Sequence, residues 1–587
     1  MIGGYCRHER YSEQPQHSGQ RTGDVLRQAG RHDEAQAAYQ EALELARRFA
    51  VQEHGDRNAQ RDIALGLSKL ADLAWDQGHD ERALGLYAQA LGITQQLLTG
   101  QAGNRLWLRD KSAALINIGD VHLQRLETRV AAQHFAEAVA IRRDLLAKDP
   151  EDASANSDLA RALEKLADTY YRGGELAAAQ PLYDEVLQLK RALVERDPAN
   201  LEWLSGLSAT LDRLGDVLSK RQRIDESQAR YAESLAISER LVEQAPQNTA
   251  WSRGLYIGHD RVAGIKQATG DLNGALADRT RQLELIRSQL QRNPQNAIWR
   301  GDLVNGLSKL GDLYSVMGEP DKARAAFAES LSVSRKLVDE SPDDAARLYS
   351  LSINLERLAS HHAETENPAQ AMPLYEEASA LSRRLLDSMP DKLAAQKNLA
   401  IDLQNLIDTA VALDDLPKAV EAAHERLELL SAILQQQPAF VADVVAASTR
   451  LAELHIRQGR PAAAVDAYRP AVELIHAQTG TEPAWRADLA LALARLADWQ
   501  VQAGDRVAGQ RLLDQRLDLV EQLADEEPAI WLREVAATAL VLSDLRVDQR
   551  QALLSKAIQA LDSLQAQAEL NDNDRRLREF LEQQIAR

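Results

Sequence analysis

A proline recurs every 48 residues through the middle of this 587-residue chain. It stands at positions 150, 198, 246, 294, 342, 390 and 438. An aspartate keeps the same step, at Asp24, Asp72, Asp120, Asp168, Asp216, Asp312 and Asp408. Repetition at a fixed period of this size is typical of a solenoid, in which each unit buries its apolar face only against its neighbours. The sequence therefore predicts one array of repeated units rather than several unrelated domains.

The composition favours helices and argues against several classes of partner. Aromatic residues make up only 4% of the chain, and good helix formers such as Ala, Leu, Glu and Arg are frequent, so we expect an all-α fold. The single cysteine, Cys6, cannot form a disulfide framework or a thiolate metal cluster. A net charge of −19 argues against nucleic acid and anionic membrane as partners. No apolar run approaches the ~18 residues of a membrane helix, so we expect a cytoplasmic protein.

One unit, residues 299–342, shows two amphipathic helices in succession. The first has apolar residues at helical spacing, namely Leu303, Leu307, Leu310 and Tyr314. Gly318 then supplies a residue that can adopt the positive φ of a helix end, and Pro320 suits the first turn of a new helix. The second helix has an apolar face formed by Ala323, Phe327 and Leu331. Each unit is therefore predicted to be a helical hairpin that ends at its proline.

The pattern within this unit resembles the tetratricopeptide repeat. The matching residues are Leu310, Gly311, Tyr314, Gly318, Ala323 and Phe327, whereas Ser330 stands where that family prefers alanine. The same positions recur in other units as Gly78, Ala83 and Tyr87, as Gly174, Ala179 and Tyr183, and as Gly459, Ala464 and Tyr468. The unit is longer than the usual repeat of about 34 residues. Over residues 21–560 the resemblance implies an α-solenoid, a right-handed superhelix of about twelve antiparallel helical hairpins.

The ends of the chain differ from its middle. The aspartate position moves from 408 to 453, 498 and 544, so the step shortens to 45, 45 and 46 residues, and we expect the connections to tighten while the helices keep their length. We therefore divide the chain into a disordered segment (1–20), a regular array (21–440), shorter-period units (441–545) and C-terminal capping helices (546–587). Pro15 and Gly19 argue against a helix at the start. The first unit begins in mid-pattern, which suggests an array truncated or detached from an upstream domain.

The recurring acidic position is the main candidate binding site. The resemblance implies that the first helix of each unit lines a concave groove and that this position faces into it. The implied ladder comprises Asp72, Asp120, Asp168, Asp216, Asp312, Asp408, Glu453 and Asp498, and would receive Arg or Lys residues of an extended peptide. The alternative is a row of solvated ion pairs, because a basic residue precedes most of these acids by three positions on the same helix. These basic residues are Lys69, Lys165, Arg213, Lys309, Arg450 and Arg495.

Two units depart from this pattern. Gly264 and Ser360 replace the acid, yet Arg261 and Arg357 are retained, so these arginines lack a local acidic partner. His259 stands where other units have a leucine such as Leu211 or Leu307. These departures predict either a tolerated irregular core or a locally basic stretch, from 255 to 365, that receives an acidic ligand segment.

Searches for catalytic motifs give no candidate. The segment GLSKLGD at 306–312 has Asp where a phosphate-binding loop needs Lys, and no metal-ligand spacing or nucleophile elbow is present. We therefore expect a non-enzymatic scaffold without cofactor or metal that binds a protein or peptide in its groove. The alternative is the regulatory or sensor arm of a multidomain effector of kinase, TIR or protease type. Self-association and the identity of the partner stay open.

Overall fold

The computed structural model describes residues 15–52, 56–388, 392–479, 484–567 and 570–586. Within those ranges the chain forms 25 α-helices and two short 3₁₀ turns, and no strand occurs in the part described. The prediction of an all-α array is confirmed. The first 24 helices pair in chain order into twelve antiparallel hairpins, and one further helix, Asp572–Ala586, follows them.

We number the hairpins 1 to 12 and call their helices A and B. Their bounds are Pro15–Gln28 and His32–Gln52, Arg57–Asp76 and Asp80–Gly100, Arg105–Gln124 and Thr128–Lys148, Ala153–Arg172 and Leu176–Arg196, Leu201–Lys220 and Ile224–Gln244, Thr249–Ala268 and Leu272–Arg292, Ala297–Val316 and Pro320–Glu340, Ala345–Glu364 and Pro368–Ser388, Lys392–Ala412 and Leu416–Leu434, Val441–Arg457 and Pro461–Gln478, Trp485–Gln502 and Arg506–Glu526, and Pro528–Leu545 and Arg550–Gln567. The 3₁₀ turns are Pro438–Phe440 and Val547–Gln549.

The chain divides into two compact units, the first ending at Leu285 and the second beginning at Ile286. In each unit the apolar core runs on from one hairpin into the next. In the first unit, Phe135 of hairpin 3 and Leu163 of hairpin 4 belong to one buried cluster. In the second unit, Tyr375, Leu403 and Leu451 of hairpins 8, 9 and 10 share another. Each hairpin therefore buries its apolar face against its neighbours, as a solenoid requires.

A capping residue placed shortly after the recurring proline starts most A helices. Asp152 and Asn200, two residues after Pro150 and Pro198, accept hydrogen bonds from backbone N–H groups of the first turn. Asn248, Asn296 and Asp344 do the same in hairpins 6, 7 and 8. The proline ends one helix, and the side chain two residues later satisfies the orphan donors of the next. This pair of signals fixes the hairpin boundary every 48 residues.

The turn between A and B always contains one residue with positive φ. Seven of these residues are glycines, including Gly78, Gly174 and Gly318. Leu126, Gln222, Glu366 and Asp414 hold the same position with φ between 57° and 63°. The predicted role of Gly318 is confirmed, and the four other residues adopt a conformation that costs an L-amino acid about 1–2 kcal/mol.

The start of the array departs from expectation. Pro15–Gln28 is an α-helix, so the prediction of disorder is wrong for residues 15–20, and residues 1–14 lie outside the described ranges. Pro15 is tolerated because it opens the helix, where its missing N–H would have no partner. A Cβ on Gly19 would lie 3.1 Å from the Cβ of Ala42, so the glycine lets helix A approach helix B closely.

The shorter period near the C-terminus also has a different origin from the one expected. The A helices of hairpins 2 to 8 have 20 residues each. Those of hairpins 10, 11 and 12 have 17, 18 and 18 residues. The prediction that the helices keep their length is therefore wrong, because the proline now stands directly before or at the first residue of hairpins 10 and 12 and the A helix starts later. The predicted domain boundaries themselves stay predictions.

Exchanging residues between two A–B turns should change stability in opposite directions. Leu126→Gly is expected to stabilise the protein by about 0.5–1 kcal/mol, because relief of left-handed strain exceeds the entropy cost of glycine. Gly318→Leu should destabilise it by about 1–2 kcal/mol. Urea midpoints of both variants, measured beside the wild type, check this. Equal shifts of the same sign would contradict it.

Candidate functional site

The recurring aspartate is held within its own hairpin by a tyrosine 15 residues later. The hydroxyl of Tyr39 donates to Asp24 at 2.7 Å, that of Tyr87 to Asp72 at 2.5 Å, and that of Tyr231 to Asp216 at 2.7 Å. Tyr183 makes the same bond to Asp168. Burial, together with the adjacent carboxylate, raises the pKa of each of these four tyrosines above its usual range, so the hydroxyl stays a donor.

The same carboxylates are tied to the next hairpin by the recurring basic residue. Lys69 Nζ lies 2.8 Å from Asp24, Lys165 Nζ lies 2.8 Å from Asp120, and Arg450 lies 2.9 Å from Asp408. Arg213 with Asp168 and Arg495 with Glu453 are longer contacts of 3.9 Å. The predicted ion pair on one helix is therefore wrong for these residues. The long basic side chain crosses the crevice between stacked A helices and reaches a carboxylate that tyrosine already orients.

Arg261 and Arg357 also have partners, so the prediction that they lack one is wrong. Arg261 contacts Asp216 at 2.9 Å and Asp212 at 3.0 Å, and its guanidinium lies 5.8 Å from the ring centroid of Tyr231. Arg357 lies 3.1 Å from Asp312. Both arginines neutralise the acid of the preceding hairpin rather than one on their own helix. The basic, ligand-receiving stretch expected between 255 and 365 has lost the unpaired charges that motivated it.

Ser360 shows how one irregular unit is accommodated. Its hydroxyl lies 2.9 Å from that of Tyr375, the tyrosine 15 residues later, so a serine replaces the carboxylate as the partner of the tyrosine. The hydrogen bond within hairpin 8 is thus kept without a negative charge.

His259 is enclosed in a buried polar network of hairpin 6. Its Nδ1 lies 3.1 Å from Asp278, whose other oxygen accepts from Lys266 Nζ at 2.7 Å. Arg279 occupies the position of the hairpin aromatic and bonds to Asp260 and Gln282. His259, Asp278 and Arg279 are all at least 95% buried. The structure therefore places His259 inside the hairpin and not on an exposed face.

The acids of the predicted ladder differ in exposure. The side chains of Asp120 and Asp216 are 15% and 17% exposed, and those of Asp72 and Asp168 are 22% and 31% exposed. In the second unit the side chains of Asp312, Asp408 and Glu453 are 44%, 55% and 45% exposed. Asp498 is also exposed, and its Oδ2 accepts from Gln502 at 2.8 Å. We call Asp312, Asp408, Glu453 and Asp498 the acidic row, because they present carboxylate oxygens to solvent.

Two exposed aliphatic residues share the face of the acidic row. Ile401 and Leu491 stand seven residues before Asp408 and Asp498, which is two helical turns, so each lies on the same side of its A helix as the acid. They are 55% and 52% exposed. Sequence reasoning missed them, although their constant distance from the acid was a usable signal. The surface can therefore offer both apolar and acidic contacts.

A buried pair of carboxyl groups joins hairpins 8 and 9. Glu356 and Asp402 occupy positions 46 residues apart, and the corresponding pairs Thr210–Glu164 and Ser308–Asn354 are hydrogen-bonded at 3.1 Å and 2.6 Å. Asp402 is fully buried. Burial, with the hydrogen bond to Asp402 and its charge, raises the pKa of Glu356 to about 8. One carboxyl of the pair is thus protonated at neutral pH and donates to the other.

Two further findings concern chemistry that the described residues do not show. Across those ranges, no three His, Cys, Asp or Glu side chains lie close enough together to hold a metal ion. None of the helices that the structure describes is long and apolar enough to cross a membrane.

Stacked helical hairpins joined by a periodic core define an α-solenoid, and family models identify its repeat. The tetratricopeptide repeat matches residues 21–49, 159–200 and 207–247, which lie in hairpins 1, 4 and 5. The remaining hairpins repeat the same core and turn positions. The chain belongs to the tetratricopeptide repeat family. It has no significant match among curated proteins.

Solved structures of similar architecture share little sequence with the chain. The apo form of RapI is 14% identical, and the match covers 71% of this chain and 99% of that one with a TM-score of 0.41. BtubC (BKLC) from P. vanneervenii is 19% identical, covering 44% and 92% at a TM-score of 0.35. A STAND protein with a tetratricopeptide repeat sensor from Pyrococcus horikoshii is 14% identical, covering 66% and 52% at 0.37. At these identities the likeness concerns the fold alone.

The ties between A helices can be tested on Lys165, which has one acid on each side. We expect the double-mutant cycle of Lys165→Ala with Asp120→Ala to give a coupling free energy of about 0.5–1 kcal/mol. The cycle of Lys165→Ala with Asp168→Ala, three residues away on the same helix, should give a value near zero. Urea unfolding of the single and double variants supplies both energies, and the reverse order would contradict the geometry.

The carboxyl pair predicts a pH dependence of stability. Folded Glu356 keeps its proton to a higher pH than unfolded Glu356, whose ordinary pKa is 4.5, so stability falls as pH rises from about 4.5 to about 8. Glu356→Gln can donate to Asp402 without titrating, and should raise stability at pH 8.5 by roughly 1–3 kcal/mol while leaving pH 4.5 little changed. Unfolding midpoints at both pH values check this. Parallel pH profiles for variant and wild type would show that the pair does not titrate.

Proposed function

We propose that this chain is a non-enzymatic interaction scaffold that binds an extended protein segment along the exposed face of its A helices. Tetratricopeptide repeats generally mediate protein–protein interactions, which supports the class of function. The observation that carries the particular proposal is the acidic row with its accompanying aliphatic residues, Ile401 and Leu491. The ladder acids of the first unit are more enclosed, so we assign the main contact surface to hairpins 7 to 11.

The chemistry of this face defines the kind of segment it would take. Exposed carboxylates attract Lys and Arg side chains, and the net charge of −19 favours the approach of a basic partner. Exposed Ile401 and Leu491 can bury apolar residues of the same segment. The mechanism is geometric: tyrosine and the neighbouring basic residue fix each carboxylate beforehand, so the ligand bears most of the ordering cost.

No step of this proposal uses a cofactor. A cytoplasmic location and the absence of nucleic-acid and membrane partners stay predictions from charge and composition. Arg261 and Arg357 contribute by fixing Asp216 and Asp312 rather than by meeting the ligand, and His259 contributes to the core of hairpin 6.

Site-specific photo-crosslinking tests which face binds. A benzophenone amino acid at Ile401 or Leu491 should capture a protein from native lysate, whereas one at Val507 should not. Val507 is a matched control because it is 57% exposed but lies on a B helix. The adduct should weaken at high salt and in the double variant Asp408→Asn, Asp498→Asn, because its attraction is partly electrostatic. Equal capture at Val507, or capture insensitive to salt and to the double variant, would contradict the proposal.

A further inference from the structure

A second surface, separate from the A-helix face, lies at the junction of hairpins 9 and 10. A groove of about 510 Å³ opens there between the B helices Leu416–Leu434 and Pro461–Gln478, above the A helix Val441–Arg457. Leu427, Leu434, Val444 and Leu474 form aliphatic walls. Ser448 lies among its lining residues, and Glu473 is the charged residue that lines it.

The groove coincides with a missing core side chain. The residue five positions before the recurring acid is a buried leucine in most hairpins, as in Leu307, Leu355, Leu403 and Leu493. Hairpin 10 has Ser448 at this position, five residues before Glu453. Serine is smaller than leucine, so the junction lacks apolar volume that its neighbours possess. The space is therefore a local feature of this sequence and not a property of every repeat.

The hydroxyl of Ser448 has no hydrogen-bond partner within the described chain, although the residue is fully buried. Other buried serines of the array are satisfied: Ser208 lies 2.8 Å from Ser234, and Ser308 donates to Asn354 at 2.6 Å. A buried polar group without a partner is costly, and such groups are usually satisfied in native proteins. An occupant that brings a donor to Ser448 Oγ removes this cost.

We propose that this groove binds the indole side chain of a tryptophan carried by a basic peptide segment. The aliphatic walls suit a flat apolar ring, and the ring N–H supplies the donor that Ser448 Oγ lacks. Exposed Glu473 at the groove attracts a Lys or Arg next to the tryptophan. This assignment does not depend on the A-helix face, because its residues lie elsewhere on the hairpins.

The test uses the full chain and two short peptides, acetyl-Lys-Trp-Lys-amide and acetyl-Lys-Ala-Lys-amide. Ligand-observed saturation-transfer NMR is expected to show transfer to the indole protons and a preference of at least about tenfold for the tryptophan peptide. Ser448→Leu restores the residue of neighbouring hairpins and should abolish binding. It should also raise the melting temperature, because leucine fills the space.

A second variant separates the hydroxyl from the space it lies in. Ser448→Ala keeps the groove open but removes the acceptor, so binding should weaken about fivefold. Glu473→Gln should weaken binding at low salt more than at high salt. Equal transfer from both peptides would overturn the proposal, as would unchanged binding in folded Ser448→Leu and Ser448→Ala proteins.

Discussion

The tie between consecutive A helices is the interaction on which the rest of this structure depends. A hairpin of two helices cannot bury its apolar face alone, so its position relative to the next hairpin must be specified. Each recurring aspartate meets a tyrosine of its own hairpin and a basic residue of the following one, as Asp216 meets Tyr231 and Arg261. Each tie is worth little energy by itself. Repetition of the same tie fixes the register of the stack, and with it the exposed carboxylates of the A-helix face.

Hairpin 6 shows that the core can change character if several positions change together. Leucine and the aromatic residue are replaced by His259 and Arg279, and Asp278 and Gln282 supply the partners that these two polar side chains need. A single one of these replacements would leave a buried polar group unsatisfied, whereas the set forms a connected network. The irregularity is therefore explained within the hairpin, and no ligand has to be invoked for it.

The helices and turns could be predicted from sequence because their signals are local, as with Gly318 and Pro320. The direction of the ion pairs could not. In a 48-residue repeat, a basic residue three positions before one acid is also 45 positions after the preceding acid, so Lys165 has the same pattern whether it meets Asp168 or Asp120. Only the stacking of the hairpins decides between them. The same limit hid the Glu356–Asp402 pair, whereas Ser448 was visible in sequence as a departure from leucine.

Removal of one whole hairpin tests most directly whether register carries the structure. Deleting residues 153–200 joins Asp152, the N-cap of hairpin 4, to Leu201, and brings Arg213 to the position that Lys165 held opposite Asp120. We predict that this 48-residue deletion keeps its helicity per residue in circular dichroism and melts cooperatively near the wild-type temperature. A 45-residue deletion, 153–197, should lose both properties. Equal behaviour of the two deletions would contradict the account.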